Sequence, residues 1–388
     1  MRLKKMPEGT LPPRPATRGR YLIRARKSAA LVCAIDAGLR LVPVRRLQPQ
    51  VYYERILLSN WGHLGDVVLT LPAVAVLRKH YPGALIGMIV GSWAKPVVEG
   101  SGLVDHLHVI DHWIVSRANG GKYTRWKKTR HQSLNEIRSH RYEIGIDFYP
   151  FFPPAHPLFW IAGIKRRVGF DSTGFGPLLT SPVRWRDADR PVSDYARDLL
   201  DQVLPLPTSP QELKFSYPTS NFPPLPAGLA TGSYTVVHPG AGAPFKDWGE
   251  WNWRTLVMAL RKQGRHLVLT GTGESEISLA QRLQGDGISN LVGKLDWNGL
   301  VAVIANASAL ICPDTVVGHL GALFQVPTVA IYTGTNNSAQ WGPLNPRARI
   351  LVKYTACAPC NRPGCPAMTC IRTTAPSDVL DALKVLQA

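Results

Sequence analysis

The sequence predicts an α/β protein of two doubly wound domains, each a parallel sheet with helices on both faces. Three observations support this prediction. The chain has 388 residues, more than one ordinary domain needs. Short apolar runs alternate with helical patterns in both halves, which is typical of parallel sheets. A proline-rich stretch at 205–232 separates the halves, since proline at that density blocks helices and central strands.

The elements follow in order from these patterns. In the first half, strands are predicted at 55–59, 85–90, 107–110, 142–148 and 167–170, and helices at 66–80, 93–99, 156–164 and 192–203. In the second half, strands are predicted at 234–238, 266–270, 309–312 and 328–332, and helices at 251–263, 277–283, 298–306 and from about 317. We therefore divide the chain into a basic extension (1–50), an N-terminal Rossmann-like domain (51–208), a linker (209–232) and a C-terminal Rossmann-like domain (233–388).

The chain is strongly basic, with a formal net charge of +19, and its 45% apolar content excludes general disorder. The extension 1–50 holds twelve Lys and Arg residues against two acids, and a second basic segment at 117–141 interrupts the alternation of strands and helices. Such clusters attract phosphates of nucleic acids, anionic lipids or phosphorylated glycans. In the first half, they include Arg125, Lys127, Lys128, Lys165, Arg166 and Arg167.

The apolar stretch 28–44 raises the question of a membrane segment. Asp36 and Arg40 interrupt it, and it is shorter than the roughly 20 apolar residues of a span. It is either an amphipathic helix on an anionic membrane face or an ordinary packed helix. The uneven placement of six cysteines favours the cytoplasm as the compartment.

Candidate binding residues lie in loops that follow strands, because parallel sheets bind ligands at the carboxyl ends of their strands. The first loop, 60–66, ends in Gly65 and Asp66 at a helix start. A carboxylate there either caps the helix or acts as a general base. The second loop, 238–248, offers Gly240 and Gly242 for close backbone approach to a phosphate and Lys246 as a counter-charge.

Two further loops complete the set. The third, 270–276, lacks the third glycine of a dinucleotide fingerprint because Glu276 stands there, which argues against a nicotinamide enzyme. Glu276 either holds ribose hydroxyls or favours the helix start. In the fourth loop, 313–322, Thr315 and the helix N-terminus suit a diphosphate, while His319 either donates to it or only packs.

Together these loops resemble the heptosyltransferases of glycosyltransferase family 9. The residues that carry the resemblance are Gly65-Asp66-Val67-Val68-Leu69-Thr70-Leu71-Pro72, His238-Pro239-Gly240 with Lys246 and Trp248, Asp314-Thr315 with His319-Leu320, and, less specifically, Gly334-Thr335 and Trp341-Gly342-Pro343. The resemblance covers most of 51–388. It implies a GT-B fold, in which two Rossmann-like doubly wound domains face each other across a cleft.

The resemblance also implies an inverting reaction that needs neither a metal ion nor a cofactor. Asp66 would deprotonate the acceptor, and the donor would be a nucleotide sugar, by analogy ADP-heptose. The substrate-binding residues carried over are Gly65, Gly240, Gly242, Lys246, Glu276, Leu295, Asp314, Thr315, Gly318 and His319. Lys246 and the turn from Asp314 to His319 would stabilise the leaving diphosphate in place of a metal ion, Glu276 would bind the donor ribose, and Leu295 would lie near the base. The chain departs from the family at Val316, where members commonly have glycine.

These expectations define a transferase with lipopolysaccharide core or a similar phosphorylated, lipid-linked glycan as acceptor. We expect it at the inner face of the cytoplasmic membrane, on an anionic surface, without nucleic acid as a partner. The alternatives are a nucleotide-sugar epimerase on a similar double sheet and a basic nucleic-acid-binding protein.

A cluster of four cysteines lies near the C-terminus: Cys357, Cys360, Cys365 and Cys370. Four thiols within fourteen residues suggest zinc or an iron–sulfur cluster. All four lie in one Pro/Gly-rich segment, however, whereas structural zinc usually uses two separate knuckles. Reduced structural thiols or a local disulfide are the alternatives to a bound metal.

Overall fold

The structure is a computed structural model that describes residues 21, 23, 26–44, 52–185, 190–220, 222–335, 337–358, 360, 365 and 367–388. The chain divides at the 221–222 boundary into two compact units, the N-terminal unit and the C-terminal unit. Most of the predicted extension 1–50 lies outside the described residues.

The described part of the N-terminal unit contains a six-stranded parallel sheet. Both faces of its strands are buried, as expected for runs such as 56–58 that are apolar at every position. The strands are β1 (Arg55–Ser59), β2 (Leu85–Val90), β3 (His106–Val109), β4 (Ile144–Asp147), β5 (Arg166–Phe170) and β6 (Ser181–Val183), in the order β3-β2-β1-β4-β5-β6. The helices are α1 (Arg26–Leu39), α2 (Leu64–His80), α3 (Lys95–Ser101), α4 (Lys122–His140), α5 (His156–Ile161) and α6 (Val192–Leu200).

The C-terminal unit repeats this plan in the residues described there. Its strands are β7 (Tyr234–Val237), β8 (His266–Leu269), β9 (Ile288–Asn290), β10 (Ala309–Pro313), β11 (Thr328–Tyr332) and β12 (Ala348–Val352), in the order β12-β11-β10-β7-β8-β9. The helices are α7 (Glu250–Lys262), α8 (Glu274–Arg282), α9 (Trp297–Ala305), α10 (Val316–Leu323), α11 (Ser338–Trp341), α12 (Thr369–Arg372) and α13 (Pro376–Gln387). Trp248 and Trp253, both fully buried, anchor its core.

The strand order places one switch point in each sheet. Within each unit, the first and fourth strands are neighbours. From the first strand the chain continues toward one edge of the sheet, and from the fourth strand it continues toward the other edge. Loops that follow these two strands therefore meet at one carboxyl edge. In the N-terminal unit the register pairs Ser59 of β1 with Asp147 of β4. In the C-terminal unit β7 pairs with β10, so the loops at 238 and 314 leave the same edge.

The prediction of two parallel α/β sheets is confirmed, and most element boundaries shift by only one to three residues. The basic segment 117–141, predicted as an interruption, contains the 19-residue helix α4. This helix buries only Ser133, Leu134 and Ile137, too few apolar positions to produce a helical period in the sequence. The edge strands β6, β9 and β12 and the helix α13 were also not predicted.

Helix α1 lies in the stretch that was open between a membrane-surface helix and a packed helix. Val32 and Asp36 are buried, and Asp36 accepts hydrogen bonds from the Tyr21 hydroxyl (2.8 Å) and the Phe175 backbone N–H (2.8 Å). These contacts make α1 a packed helix of the N-terminal unit. Within the described ranges, no helix is both long and apolar enough to cross a membrane.

Candidate functional site

Asp66 lies in the first turn of α2, at the carboxyl edge of the N-terminal sheet. The helix begins at Leu64 rather than at Asp66, with His63 as its N-cap, so that Asp66 is the third helical residue. Its Oδ2 accepts the His63 backbone N–H at 2.7 Å. The carboxylate therefore does contribute to capping, and this bond fixes its orientation at the edge of the sheet.

Hydrogen bonds of the Asn60 side chain stabilise the loop before Asp66. Asn60 donates through Nδ2 to the Asp66 carbonyl (3.1 Å) and to Thr70 Oγ1 (2.8 Å), and its Oδ1 accepts the Gly62 N–H (3.0 Å). A Cβ at Gly62 would stand 2.7 Å from Asp66 Oδ2, which explains why glycine occupies that position. Gly65, predicted to bind substrate, is half-buried within the first turn of α2.

Two groups that the sequence did not single out interact electrostatically with Asp66. Partial desolvation lowers the pKa of Arg117, and the negative charge of Asp66 opposes that shift. Burial raises the pKa of the Tyr149 phenol, and the charges of Asp66 and then Asp147 raise it further. A cation and a phenol therefore lie close to the predicted base.

Asp147 forms a buried polar cluster beside this region, at the end of β4. It accepts hydrogen bonds from Ser59 Oγ (2.7 Å) and from the backbone N–H groups of Tyr149 (3.2 Å) and Ala155 (2.7 Å). Burial raises its pKa to about 6, although these hydrogen bonds oppose the shift. His156 Nε2 lies 3.4 Å from Asp147 Oδ2. The sequence signal for Asp147 was a carboxylate at the end of a buried strand, whereas Asp66 was identified from a Gly-Asp pair at a helix start.

The predicted acceptor-side cations separate into two groups. Arg166 and Arg167 are buried, and their guanidinium groups donate to backbone carbonyls, Arg166 to Gln202 (2.5 Å) and Arg167 to Leu178 (2.6 Å). The expectation that these two arginines meet acceptor phosphates is therefore wrong, because strand β5 carries them into the protein interior. By contrast, Arg125, Lys127 and Lys128 are exposed on α4.

In the C-terminal unit, Glu276 links the second and third predicted loops. Its Oε2 accepts the backbone N–H groups of Thr272 and Gly273 (2.8 Å to the latter) at the start of α8. A Cβ at Gly240 would stand 2.4 Å from Glu276 Oε1, so glycine permits this close approach of the two loops. Gly242, the other predicted glycine, is exposed in its loop.

Lys246 and Asp314 form an ion pair at the N-terminus of α10. The Lys246 ammonium lies 2.7 Å from Asp314 Oδ2 and donates to the Asp314 carbonyl oxygen at 3.2 Å. Both side chains are largely buried, with 19% and 9% of their surface exposed. The structure thus brings together two residues that are 68 positions apart and that the resemblance had assigned to one diphosphate site.

Thr315 caps α10, and its Oγ1 accepts the Val317 backbone N–H at 3.3 Å. Gly318 is buried in the first turn, where an added Cβ would touch Cys312 Sγ at 3.4 Å. Val316 is the first helical residue, directly beside the cap. Val316, at which the chain departs from the family, therefore lies at the N-terminus of the helix, where backbone N–H groups are available to an anion.

His319 lies one turn into α10 and is buried. Its Nδ1 has no hydrogen-bond partner within the described part of the chain. Burial lowers its pKa to about 4; the positive charge of Lys246 adds to this shift, and the negative charge of Asp314 opposes it. The imidazole is therefore neutral at neutral pH. Both members of the Lys246–Asp314 pair act electrostatically on this imidazole.

Leu295 lines a cavity of about 380 Å³ in the C-terminal unit. Its other walls are Pro223, Pro224, Pro226, Lys294, Asp296, Gly299 and Ala302. Residues of the proline-rich stretch thus form one side of this cavity. The cavity is large enough for a planar base.

The cysteine cluster falls partly outside the described residues, since 359, 361–364 and 366 are not described. Cys357, Cys360, Cys365 and Cys370 are free thiols. Within the described ranges, no three His, Cys, Asp or Glu side chains are grouped closely enough to hold a metal ion.

Comparisons with known proteins connect this arrangement to one family of enzymes. The family profile of glycosyltransferase family 9 (heptosyltransferase) matches residues 130–370. Lipopolysaccharide heptosyltransferase 1 of Pseudomonas aeruginosa is 27% identical over 328 residues, which cover 80% of this chain and 87% of that protein.

Solved structures show the same architecture. The family 9 glycosyltransferase of Veillonella parvula superposes with a TM-score of 0.69 at 22% identity, covering 88% of this chain and 99% of that one. E. coli heptosyltransferase WaaC with ADP superposes with a TM-score of 0.68 at 19% identity, covering 86% and 99%. The fold is therefore GT-B, with two Rossmann-like domains. Because the family match spans more than half of its length, the chain belongs to glycosyltransferase family 9 and is a heptosyltransferase-like glycosyltransferase.

Proposed function

We propose that the protein transfers heptose from ADP-heptose to the core of lipopolysaccharide or a similar glycan, with inversion and without a metal ion. The observation that carries the proposal is the Lys246–Asp314 pair at the N-terminus of α10. An ammonium group and a helix N-terminus supply positive potential where a diphosphate departs, which is the task of a metal ion in other transferases.

The residues divide the reaction between them. Asp66 takes the proton of the acceptor hydroxyl, whose oxygen attacks the anomeric carbon as the bond to the diphosphate breaks. ADP leaves with its added charge balanced by Lys246 and by the N–H groups near Thr315. His319 is neutral, and its buried Nδ1 has no hydrogen-bond partner among the described residues, so this nitrogen offers a further donor when it carries the proton. In this proposal Glu276 accepts hydrogen bonds from the ribose hydroxyls, and the reaction uses no cofactor.

The donor and acceptor follow from the family relationship rather than from the geometry. The curated relatives are lipopolysaccharide heptosyltransferases, and one related structure contains ADP. The excess of positive charge suits a phosphorylated, lipid-linked acceptor at the inner face of the cytoplasmic membrane. Membership of family 9 favours this function over the epimerase and nucleic-acid alternatives.

The test is an assay of ADP release from ADP-heptose with and without lipopolysaccharide that lacks core heptose. We expect release to depend on the acceptor and the product to carry the opposite anomeric configuration. A heptose altered without any acceptor would instead indicate an epimerase. Thermal shifts with ADP, UDP and GDP identify the nucleotide, because stabilisation grows with the occupancy of the site.

A further inference from the structure

The loop after β3 and the first half of α4 expose large apolar side chains. Trp113, Ile114 and Tyr123 are 43%, 42% and 53% exposed. Ring contacts connect them across the surface: His112 stacks on Trp113 (6.1 Å) and touches Trp126 (5.4 Å), which in turn touches Tyr123 (5.4 Å). The exposed rings therefore belong to one connected cluster, joined through the buried His112 and the partly buried Trp126.

Positive charge surrounds these rings. Between 112 and 135 the sequence contains six cations and no acid: Arg117, Lys122, Arg125, Lys127, Lys128 and Arg130. Lys127 Nζ lies 4.6 Å from the Tyr123 ring centre, and Arg130 lies 5.6 Å from the Trp126 ring centre. We call Trp113, Ile114, Tyr123, Arg125, Lys127 and Lys128 the aromatic–basic surface.

This combination matches the chemistry of a membrane interface. Tryptophan and tyrosine favour the headgroup level of a bilayer, and an isoleucine beside them inserts among acyl chains. Lysine and arginine near an anionic membrane each strengthen binding by about fivefold. A soluble phosphate would engage the cations but would leave Trp113 and Ile114 in water. The observations therefore favour an anionic lipid surface as the occupant.

We propose that the aromatic–basic surface docks the N-terminal unit on an anionic lipid bilayer. Arg117, which belongs to the same basic segment, interacts electrostatically with Asp66. Docking would then present a lipid-linked acceptor beside Asp66; this second part rests on the proposed function, whereas the docking itself does not. The buried Asp36 makes α1 less suited to the same task.

Sedimentation with vesicles of phosphatidylcholine, alone or in an equimolar mixture with phosphatidylglycerol, tests the docking. We expect binding to the mixed vesicles to be at least about tenfold tighter. The double variant Trp113→Ser/Ile114→Ser should weaken it by about tenfold, and Lys127→Gln/Lys128→Gln by a similar factor. Trp251→Ser and Lys262→Gln/Lys384→Gln remove exposed residues of the same types from the C-terminal unit, and binding should not change.

Equal binding to both vesicle types would overturn the proposal, and so would equal losses in the test and control variants. If the test variants bound a short RNA more weakly but bound vesicles as well as the parent, the proposal would also be overturned, and the surface would be one that binds nucleic acid. Trp113→Ser/Ile114→Ser should keep full transfer to a deacylated, water-soluble acceptor but lose transfer to an acceptor in vesicles. Vesicle binding without transfer to any acceptor would leave the docking intact and refute only the proposed function.

Discussion

The two units share one strand order but carry different ionisable groups at the equivalent edge of the sheet. The N-terminal unit follows its first strand with a short loop and a carboxylate, Asp66, in the first turn of a helix. The C-terminal unit follows its first strand with a long loop that delivers the cation Lys246 to α10, which starts after the fourth strand. The same topology thus holds the proposed proton acceptor in one unit and the proposed anion site in the other. Separate substitutions should therefore affect turnover and donor binding independently.

The largest expected effect is on turnover in Asp66→Asn. The amide keeps an oxygen for the His63 N–H, but it cannot take a proton, so kcat should fall on the order of a hundredfold or more. Affinity for ADP, measured by calorimetry, should stay the same. Asp378 occupies the same third position of α13 and accepts the Ala375 N–H at 2.9 Å. Asp378→Asn is therefore a matched control, and equal turnover in both variants would contradict the role of Asp66.

The second effect concerns stability and pH at His319. Its pKa is about 4 in the folded protein and about 6.5 when unfolded. Between pH 7 and pH 5 the unfolded chain gains a proton that the native state does not bind. The free energy of unfolding should therefore decrease by about 2 kcal/mol on this account.

Urea denaturation of His319→Gln at both pH values measures this contribution. The variant should lose less stability than the parent on acidification. The same substitution at the exposed His131 controls for the general effect of removing a histidine. An identical pH dependence in the parent and in His319→Gln would show that His319 is protonated in the native state.

Lys246→Ala should change donor binding, in contrast to the Asp66 variant. Without the ammonium group, ADP affinity and transfer should fall together by about tenfold, because a charge-assisted contact to the diphosphate is lost. Lys262→Ala, at an exposed position on α7, is the control. If calorimetry gives the parent's ADP affinity for Lys246→Ala, the anion site lies elsewhere.

The smallest effect is expected for Gly240→Ala. The new Cβ would lie 2.4 Å from Glu276 Oε1, so the carboxylate must move, and KM for the donor should rise by about threefold. Gly273→Ala places its Cβ no closer than 3.6 Å to the same side chain and should keep the parent's KM. A larger increase for Gly273→Ala than for Gly240→Ala would contradict this use of Glu276.

The sequence predicted strands best where they are buried on both faces, as in β1 and β10, because a short, continuous apolar run between turn residues is typical of a buried strand. It failed for α4, whose buried face is only three residues, and for the edge strands β6, β9 and β12, which are short and partly exposed. The site residues were found through motifs and strand ends. Arg166 and Arg167 were misjudged because charge alone does not reveal that backbone carbonyls in the interior pair with them.

By itself the sequence determined the alternating α/β plan, the strand-end positions of Asp66, Lys246, Glu276 and Asp314, and the family. These features depend on local sequence patterns, each of which lies within a short segment of the chain. Only the tertiary structure decided that Lys246 pairs with Asp314, that Asp147 joins Ser59 across two strands, and that Trp113 and Tyr123 share one surface with Lys127 and Lys128. The Lys246–Asp314 and Ser59–Asp147 contacts and the ring contact between His112 and Trp126 join residues from different elements, and their distance in space is set by packing rather than by sequence spacing.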